Sequence, residues 1–142
     1  MLKKIPAILS PDLLKILQEM GHNDYILLVD ANYPAASGAK RLVRMEGVEV
    51  TDLLDAVLQF FPLDTFVDDP VVLMRPRADE KTPEIWESFE RIIKTHDTDQ
   101  AFSDFHLMDR LDYYEYARGA YAIVQTGTTA RYANIGLKKG VI

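Results

Sequence analysis

Apolar residues occur along this chain in two alternating patterns, short continuous runs and longer amphipathic segments. Two runs, Tyr25–Val29 and Val71–Met74, lack any polar alternation, which is typical of strands buried on both faces of a sheet. Segments with apolar residues at helical spacing, such as residues 13–20, lie before and between these runs. Helices that alternate with buried strands predict an α/β layered fold, and no linker or repeat divides residues 1–142, so we expect a single domain.

Capping signals predict where the helices begin and end. Ser10 can cap the first helix, Pro11 suits its first position, and Gly21 is predicted to end it in the left-handed conformation. Thr51 is predicted to open the second helix, and Pro62 to end it. Helices are predicted over residues 10–20, 52–61 and 113–119, with another that begins at residues 82–84. Further strands are predicted at residues 42–43, 120–125 and 132–138, and a loop at residues 31–39.

Composition narrows the class of protein. The chain has 142 residues, 48% of them hydrophobic, and a net charge of −6 with no basic cluster larger than a pair, so we expect no nucleic-acid partner. No apolar run approaches the roughly 18 residues of a membrane span, so we expect no membrane insertion. The chain has no cysteine, which excludes disulfides and thiolate chemistry and fits a cytoplasmic location.

Candidate chemistry first appears around the first buried strand. His22 follows Gly21, and Asp30 comes directly after the strand. Ligand sites in such sheets open at strand ends, so the short connection predicts that both side chains reach one cleft. An imidazole is a natural proton carrier near neutral pH. The alternative is that His22 only hydrogen-bonds the last carbonyls of its helix, and spacing alone leaves both interpretations open.

The C-terminal third is rich in polar aromatic residues. Residues 109–116 mix tyrosines with fixed charges, and Tyr132 and Asn134 follow. Phenols, carboxylates, amides and guanidinium groups together are suited to binding sugars, although tyrosines that merely pack on a helix give the same pattern. The three histidines lack metal-ligand spacing, and neither a nucleophile elbow nor a phosphate-binding loop is present, so we expect no metal and no cofactor.

Five segments resemble the conserved blocks of one family, in the same order and with the same spacing. Residues 20–24 (MGHND) resemble its M-G-H-G-D block, 30–34 (DANYP) its D-A-N/H-F-P, 62–67 (PLDTFV) its P-L-D-T/S-Y, 110–115 (RLDYYE) its R-F-x-F-Y-E, and 132–140 (YANIGLKKG) its Y-G/A-N-I…L-K-K-G. The similarity runs essentially from end to end. On these blocks the chain is identified as a member of the L-fucose mutarotase / D-ribose pyranase family.

The resemblance implies a fold, an assembly and a role for each matching residue. The fold implied is a three-layer α/β/α domain with a mixed central sheet, assembled into a homodecamer or dimer with sites at or near subunit contacts. His22 is implied as proton donor and Tyr114 as its acid/base partner. The residues implied to hold the sugar hydroxyls are Asp30, Asp64, Arg110, Tyr132 and Asn134.

The implied activity is that of an isomerase, a mutarotase that interconverts the α and β anomers of free L-fucose. It needs only general acid–base catalysis, which suits the groups that the chain offers. Arg110 matches the fucose-acting branch, and we expect Tyr113 and Tyr114 to contact the C5 methyl group. Two alternatives stay open, a D-ribose pyranase and a non-catalytic sugar-binding regulatory module. Asn23, Tyr33 and Tyr116 depart from the family pattern, and Tyr116 is expected to alter the sugar preference.

Overall fold

The computed structural model describes all 142 residues and contains five helices and six strands. The helices are α1 (Pro11–Glu19), α2 (Ala35–Gly38), α3 (Val50–Leu58), α4 (Ile85–His96) and α5 (Arg110–Arg118). The strands are β1 (Tyr25–Val29), β2 (Leu42–Met45), β3 (Val71–Met74), β4 (His106–Met108), β5 (Ala122–Thr126) and β6 (Ile135–Lys138). None of the helices is long and apolar enough to cross a membrane.

The six strands form one mixed sheet in the order β2-β5-β1-β6-β3-β4. Strand β6 runs antiparallel to both of its neighbours, β1 and β3, whereas every other neighbouring pair is parallel. The start of β6 therefore lies at the edge of the sheet where β1 and β3 end. This reversal brings the residues before β6 next to those that follow β1 and β3.

Helices cover both faces of the sheet. Along β1, Ile26 and Leu28 belong to the larger apolar core, which α1, α3 and α4 share. Leu27 and Val29 face the opposite way, into a smaller core with residues of α2 and α5. All four side chains have no exposed surface, as expected for a central strand covered on both faces. The predicted three-layer α/β/α fold with a mixed sheet is confirmed.

The first helix begins as predicted but ends differently. The Leu13 N–H donates to the Ser10 hydroxyl at 3.2 Å, which confirms the cap. Gly21 was expected in the left-handed conformation, and this prediction is wrong, because α1 ends at Glu19 and no glycine of the chain has positive φ. Asn23 occupies that conformation instead, at φ 75°. Asparagine adopts this conformation more readily than most other non-glycine residues, so it can stand where the family pattern has glycine.

Helix α3 also differs from its prediction. It begins at Val50, before Thr51, and ends at Leu58, well short of Pro62. The hydroxyl of Thr128, far along the chain, accepts the Val50 N–H at 2.7 Å in place of a local cap. Thr51 is therefore a residue of the first turn rather than the cap.

The remaining differences concern short elements and boundaries. The loop predicted at residues 31–39 contains the single turn α2, and α5 begins three residues before the predicted residue 113. Helix α4 starts at Ile85, and β5 and β6 start two and three residues later than expected. Strand β4, the outermost strand on one side of the sheet, was not predicted, because its three residues are too few to show a periodic pattern.

Candidate functional site

One edge of the sheet gathers polar residues around an open cleft of about 950 Å³. Asp30 follows β1, Arg75 follows β3 and Arg110 begins α5 directly after β4, while Asn134 precedes the antiparallel β6. Ligand sites in α/β sheets form at such edges, and the volume lies within the usual range for small-molecule pockets. Five of the predicted site residues line this cleft: Asp30, Arg110, Tyr114, Tyr132 and Asn134.

Asp30 and Asn134 form the floor of the cleft, with only 5% and 4% of their surfaces exposed. The Asp30 backbone N–H donates to Asn134 Oδ1 at 2.9 Å, and the Asn32 N–H donates to Asp30 Oδ1 at 3.0 Å. Burial raises the pKa of the Asp30 carboxyl above its ordinary value, and hydrogen bonds from Asn32 and Asn134 partly oppose that rise. The two side chains are thus held at fixed positions where they can bind sugar hydroxyls.

The tyrosines of α5 point in different directions, because successive helical residues are about 100° apart. Tyr114 lines the cleft, with its ring centroid 5.6 Å from that of Tyr33. Tyr113 has no exposed surface and its hydroxyl has no hydrogen-bond partner, so the expectation that it contacts a sugar methyl group is wrong. Tyr116 stacks on Tyr25 with ring centroids 4.4 Å apart and does not line the cleft. Tyr116 therefore has no direct contact with the cleft through which it could influence the sugar preference.

Arg110 is the arginine of the cleft that has no carboxylate partner. Two of its acidic neighbours pair with other arginines, Asp109 with Arg75 at 3.0 Å and Glu115 with Arg118 at 3.6 Å. The other cleft arginines are also paired, Arg77 with Asp79 and Arg131 with Glu80. The guanidinium of Arg110 is therefore free to bind a ligand in this protomer.

Tyr132 is held in an unusual conformation by residues that the sequence did not single out. It has φ 56°, and its carbonyl accepts the Trp86 indole N–H at 3.0 Å. Its hydroxyl donates to the carboxylate of Glu80. This hydrogen bond, followed by the charge of Arg131, lowers the pKa of Glu80. With its hydroxyl engaged, Tyr132 presents mainly its ring to the cleft.

Two further residues belong to the site, Arg75 in the wall of the cleft and Glu80 behind Tyr132 and Arg131, and they differ in how the sequence could have revealed them. Arg75 directly follows the buried strand β3, so the same rule that singled out Asp30 would have identified it. Glu80 gave no such signal, because its contacts with Tyr132 and Arg131 join positions about fifty residues apart.

His22 and Asp64 lie at the opposite edge of the sheet and do not line the cleft. His22 precedes β1, and its Nε2 is 3.3 Å from Oδ1 of Asp64. Strand β1 separates the two edges, and the extended segment of residues 25–30 spans about 20 Å. The expectation that His22 and Asp30 reach one cleft within a chain is therefore wrong, because the connection between them is itself the strand.

The alternative interpretation of His22, as a partner of the last carbonyls of α1, also fails. Lys139 occupies that position, since its Nζ donates to the carbonyl oxygens of Leu17 and Met20. The imidazole of His22 instead contacts Asp64 and lies 5.5 Å from the ring of Phe66, with 44% of its side chain exposed. An exposed, carboxylate-bound imidazole is an arrangement suited to proton transfer.

Several known proteins are similar to this chain over nearly its whole length. The chain is 48% identical to the fucose mutarotase from Streptococcus pneumoniae, solved in complex with L-fucose, with a TM-score of 0.94 and 99% of each chain covered. It is 43% identical to fucose mutarotase from Bos taurus, over 99% of this chain and 94% of that protein. RbsD from Bacillus subtilis, complexed with D-ribose, shares the fold at 21% identity and a TM-score of 0.72, over 94% of this chain and 95% of that one.

The relatives and the sheet topology lead to the same conclusion, and a family model matches nearly the whole chain, residues 3–142. The chain belongs to the RbsD / FucU transport protein family.

Proposed function

We propose that this chain is an L-fucose mutarotase, an isomerase that interconverts the α and β anomers of the free sugar. The observation that carries the proposal is the cleft in which Asp30, Arg110, Tyr114, Tyr132 and Asn134 converge, in a chain 48% identical to a fucose mutarotase solved with L-fucose. A ribose-bound relative at 21% identity supports only the shared fold, so D-ribose pyranase is the weaker alternative. The cytoplasmic location expected from the sequence stays a prediction.

The reaction consists of two proton transfers around the breaking of one bond. A base removes the proton of the anomeric hydroxyl, an acid delivers a proton to the ring oxygen, and the bond between C1 and that oxygen breaks. The open aldehyde rotates about the C1–C2 bond, and the reverse transfers close the ring on either face. In our proposal His22 delivers the proton to the ring oxygen, and Tyr114 exchanges the proton of the anomeric hydroxyl. Asp30, Arg110 and Asn134 hold the other hydroxyl groups of the sugar.

Because His22 lies at the far edge of the sheet, we propose that a neighbouring subunit supplies it to the cleft. Two exposed apolar side chains support an interface at both places. Phe66 lies beside His22 and is 72% exposed, and Leu111 follows Arg110 and is 69% exposed. Burial of these two side chains on assembly would be favourable, because each removes apolar surface from water. A homodecamer or a dimer would then carry composite sites, each with His22 and Asp64 from one protomer and the cleft from its partner.

Complementation tests both parts of this proposal. We expect His22→Ala and Arg110→Ala each to lower anomeric exchange of L-fucose, measured by saturation-difference NMR, by a factor on the order of 10² or more. Subunits mixed by coexpression should recover about a quarter of the wild-type rate, since one interface in four pairs an intact His22 with an intact cleft. His96→Ala is the control, because His96 pairs with Asp55 away from the cleft.

Each outcome separates the alternatives. A His22→Ala variant that exchanges L-fucose as fast as the wild type would show that the mechanism is wrong. Mixed assemblies that recover nothing would show that His22 and the cleft act within one protomer or not at all. A non-catalytic sugar-binding module would bind fucose without accelerating exchange. A pyranase would act on D-ribose faster than on L-fucose.

A further inference from the structure

Asp64 is a buried carboxylate whose position is fixed by the backbone around it. Its side chain is 1% exposed, and its N–H donates to the Lys138 carbonyl at 3.1 Å. Oδ1 accepts the Phe66 N–H at 3.0 Å and lies 3.3 Å from Nε2 of His22. Oδ2 is buried without a partner. The resemblance implied a contact between this carboxylate and the sugar, yet neither oxygen is open to a ligand in this protomer.

A carboxylate in contact with one ring nitrogen decides which tautomer of the imidazole is favoured. If Nε2 carries the hydrogen that Oδ1 accepts, Nδ1 is left as the nitrogen that can gain or lose a proton. The Phe66 ring, 5.5 Å from the imidazole and tilted by 58°, limits rotation on one side. Asp64 thus holds the orientation of His22 through the contact between its Oδ1 and Nε2 of the imidazole.

We propose that Asp64 is a positioning residue, which keeps His22 in the Nε2–H tautomer so that Nδ1 exchanges the proton with the sugar. This inference rests on the proposed function for its catalytic part. In the forward step the doubly protonated imidazole gives its Nδ1 proton to the ring oxygen and becomes neutral with hydrogen on Nε2. When the ring closes, Nδ1 takes that proton back. Asp64 transfers no proton at any step.

Kinetics distinguish positioning from sugar contact. We expect Asp64→Ala to lower kcat for L-fucose exchange on the order of 10- to 100-fold, part of what a positioned acid supplies, with KM changed less than about twofold. Asp64→Asn keeps the acceptor oxygen and loses the charge, so its kcat should fall less. Asp55→Asn is the matched control, because Asp55 forms the chain's other carboxylate–histidine pair, with His96 at 2.7 Å. A raised KM with unchanged kcat, or wild-type kinetics, would overturn the proposal.

Nitrogen-15 NMR of the histidine side chains tests the geometry without any sugar. In the wild type we expect neutral His22 to be the Nε2–H tautomer, with a resolved proton signal on Nε2. That signal should be lost in Asp64→Ala and kept in Asp55→Asn, which should change only the His96 signals. Neutral His22 found as the Nδ1–H tautomer would overturn the proposal even if no variant folded. Failure of the wild type to exchange fucose would refute the proposed function instead, and the spectra would still decide the pairing.

Discussion

Asp30 is a residue at which binding geometry works against stability. It is 5% exposed at the end of β1, where its carboxylate is held by the Asn32 N–H and its backbone by Asn134. Burial disfavours the charged form, so the pKa of this carboxyl is raised above its ordinary value of 3.8. A site that needs a buried carboxylate to bind hydroxyls therefore destabilises the folded state at neutral pH.

We expect Asp30→Asn to raise the free energy of unfolding at pH 7, because the amide keeps the acceptor oxygen and has no charge to bury. A raised pKa in the folded state means that wild-type stability falls as the pH rises from 3.8 through the folded pKa. The difference in free energy of unfolding between the variant and the wild type should therefore shrink as the pH is lowered from the folded-state pKa towards 3.8. Urea denaturation across the acidic range measures it. A gap that does not change with pH would contradict the stated cause.

Arg110 is the residue on which sugar preference is expected to depend. We expect the wild type to exchange L-fucose faster than D-ribose by roughly 5-fold, since one buried methyl group is worth about 1 kcal/mol. The guanidinium of Arg110 has no ion-pair partner and is therefore available to bind the sugar. Arg110→His should reduce the ratio of fucose to ribose exchange, because histidine lacks the rigid fork of N–H donors. Exchange NMR with both sugars measures the ratio. Arg118→His, on the same helix but outside the cleft, is the control, and an equal change there would remove Arg110 from the specificity.

At the scale of elements, α3 depends on a side chain from a distant part of the chain. Its N-cap residue Glu49 makes no capping hydrogen bond. Thr128, 2% exposed, accepts the Val50 N–H at 2.7 Å and donates to the Glu49 carboxylate at 2.7 Å. One hydroxyl thereby joins the start of α3 to the segment that follows β5.

We expect Thr128→Val to lower the free energy of unfolding by about 1–2 kcal/mol, because the isosteric side chain leaves a buried N–H without its acceptor. Thr51→Val should change it by less than about 0.5 kcal/mol, since Thr51 is not the cap. Chemical denaturation of the two variants provides the comparison. A larger loss at Thr51 would restore the local cap that the sequence pattern predicted.

Strand β6 and helix α5 pack so closely that position 136 of the strand requires glycine. A Cβ built on Gly136 would lie 2.4 Å from the Tyr116 hydroxyl oxygen, so any larger residue would displace that ring. Tyr116 in turn accepts the Tyr25 hydroxyl at its carbonyl, at 2.7 Å. Tyr116 therefore serves the packing of α5 on the sheet and does not line the cleft.

At the scale of the whole molecule, the two halves of the proposed site lie at opposite edges of one sheet. A protomer of 16.2 kDa therefore presents two separate surfaces, one with His22 and Phe66 and one with Arg110 and Leu111. Surfaces that meet head to tail generate a ring, and those that meet by a twofold axis generate a dimer with two equivalent sites. Either assembly satisfies the proposed chemistry.

We expect light scattering at micromolar concentration to give the mass of an oligomer, at least twice the 16.2 kDa of one chain. Phe66→Glu should shift the protein towards the monomer and lower exchange activity in parallel, because it places a charge on a surface that assembly would bury. Thr98→Glu, on an exposed residue after α4 that does not line the cleft, serves as the charge-change control. A wild-type monomer with full activity would contradict the composite site.

Local features of this protein follow directly from its amino-acid sequence. Continuous apolar runs identified β1 and β3, Ser10 identified the start of α1, and the residue after a buried strand identified Asp30. These features depend on neighbours within a few residues, so periodicity and capping chemistry are sufficient to find them. The resemblance of five segments added the family and its fold, which the topology and the comparisons confirm.

Which of these residues contact one another depends on the three-dimensional fold. The antiparallel insertion of β6 between β1 and β3 brings Asn134 to Asp30, and strand β1 keeps His22 away from both. Thr128 caps a helix 78 residues away, and Asp64 contacts an imidazole 42 residues away. Such pairings depend on how strands order and orient in the sheet, which is set by long-range packing. The sequence pattern contains no information on that order. Proximity in sequence therefore predicted that His22 and Asp30 share one cleft, whereas the fold places them at opposite ends of β1.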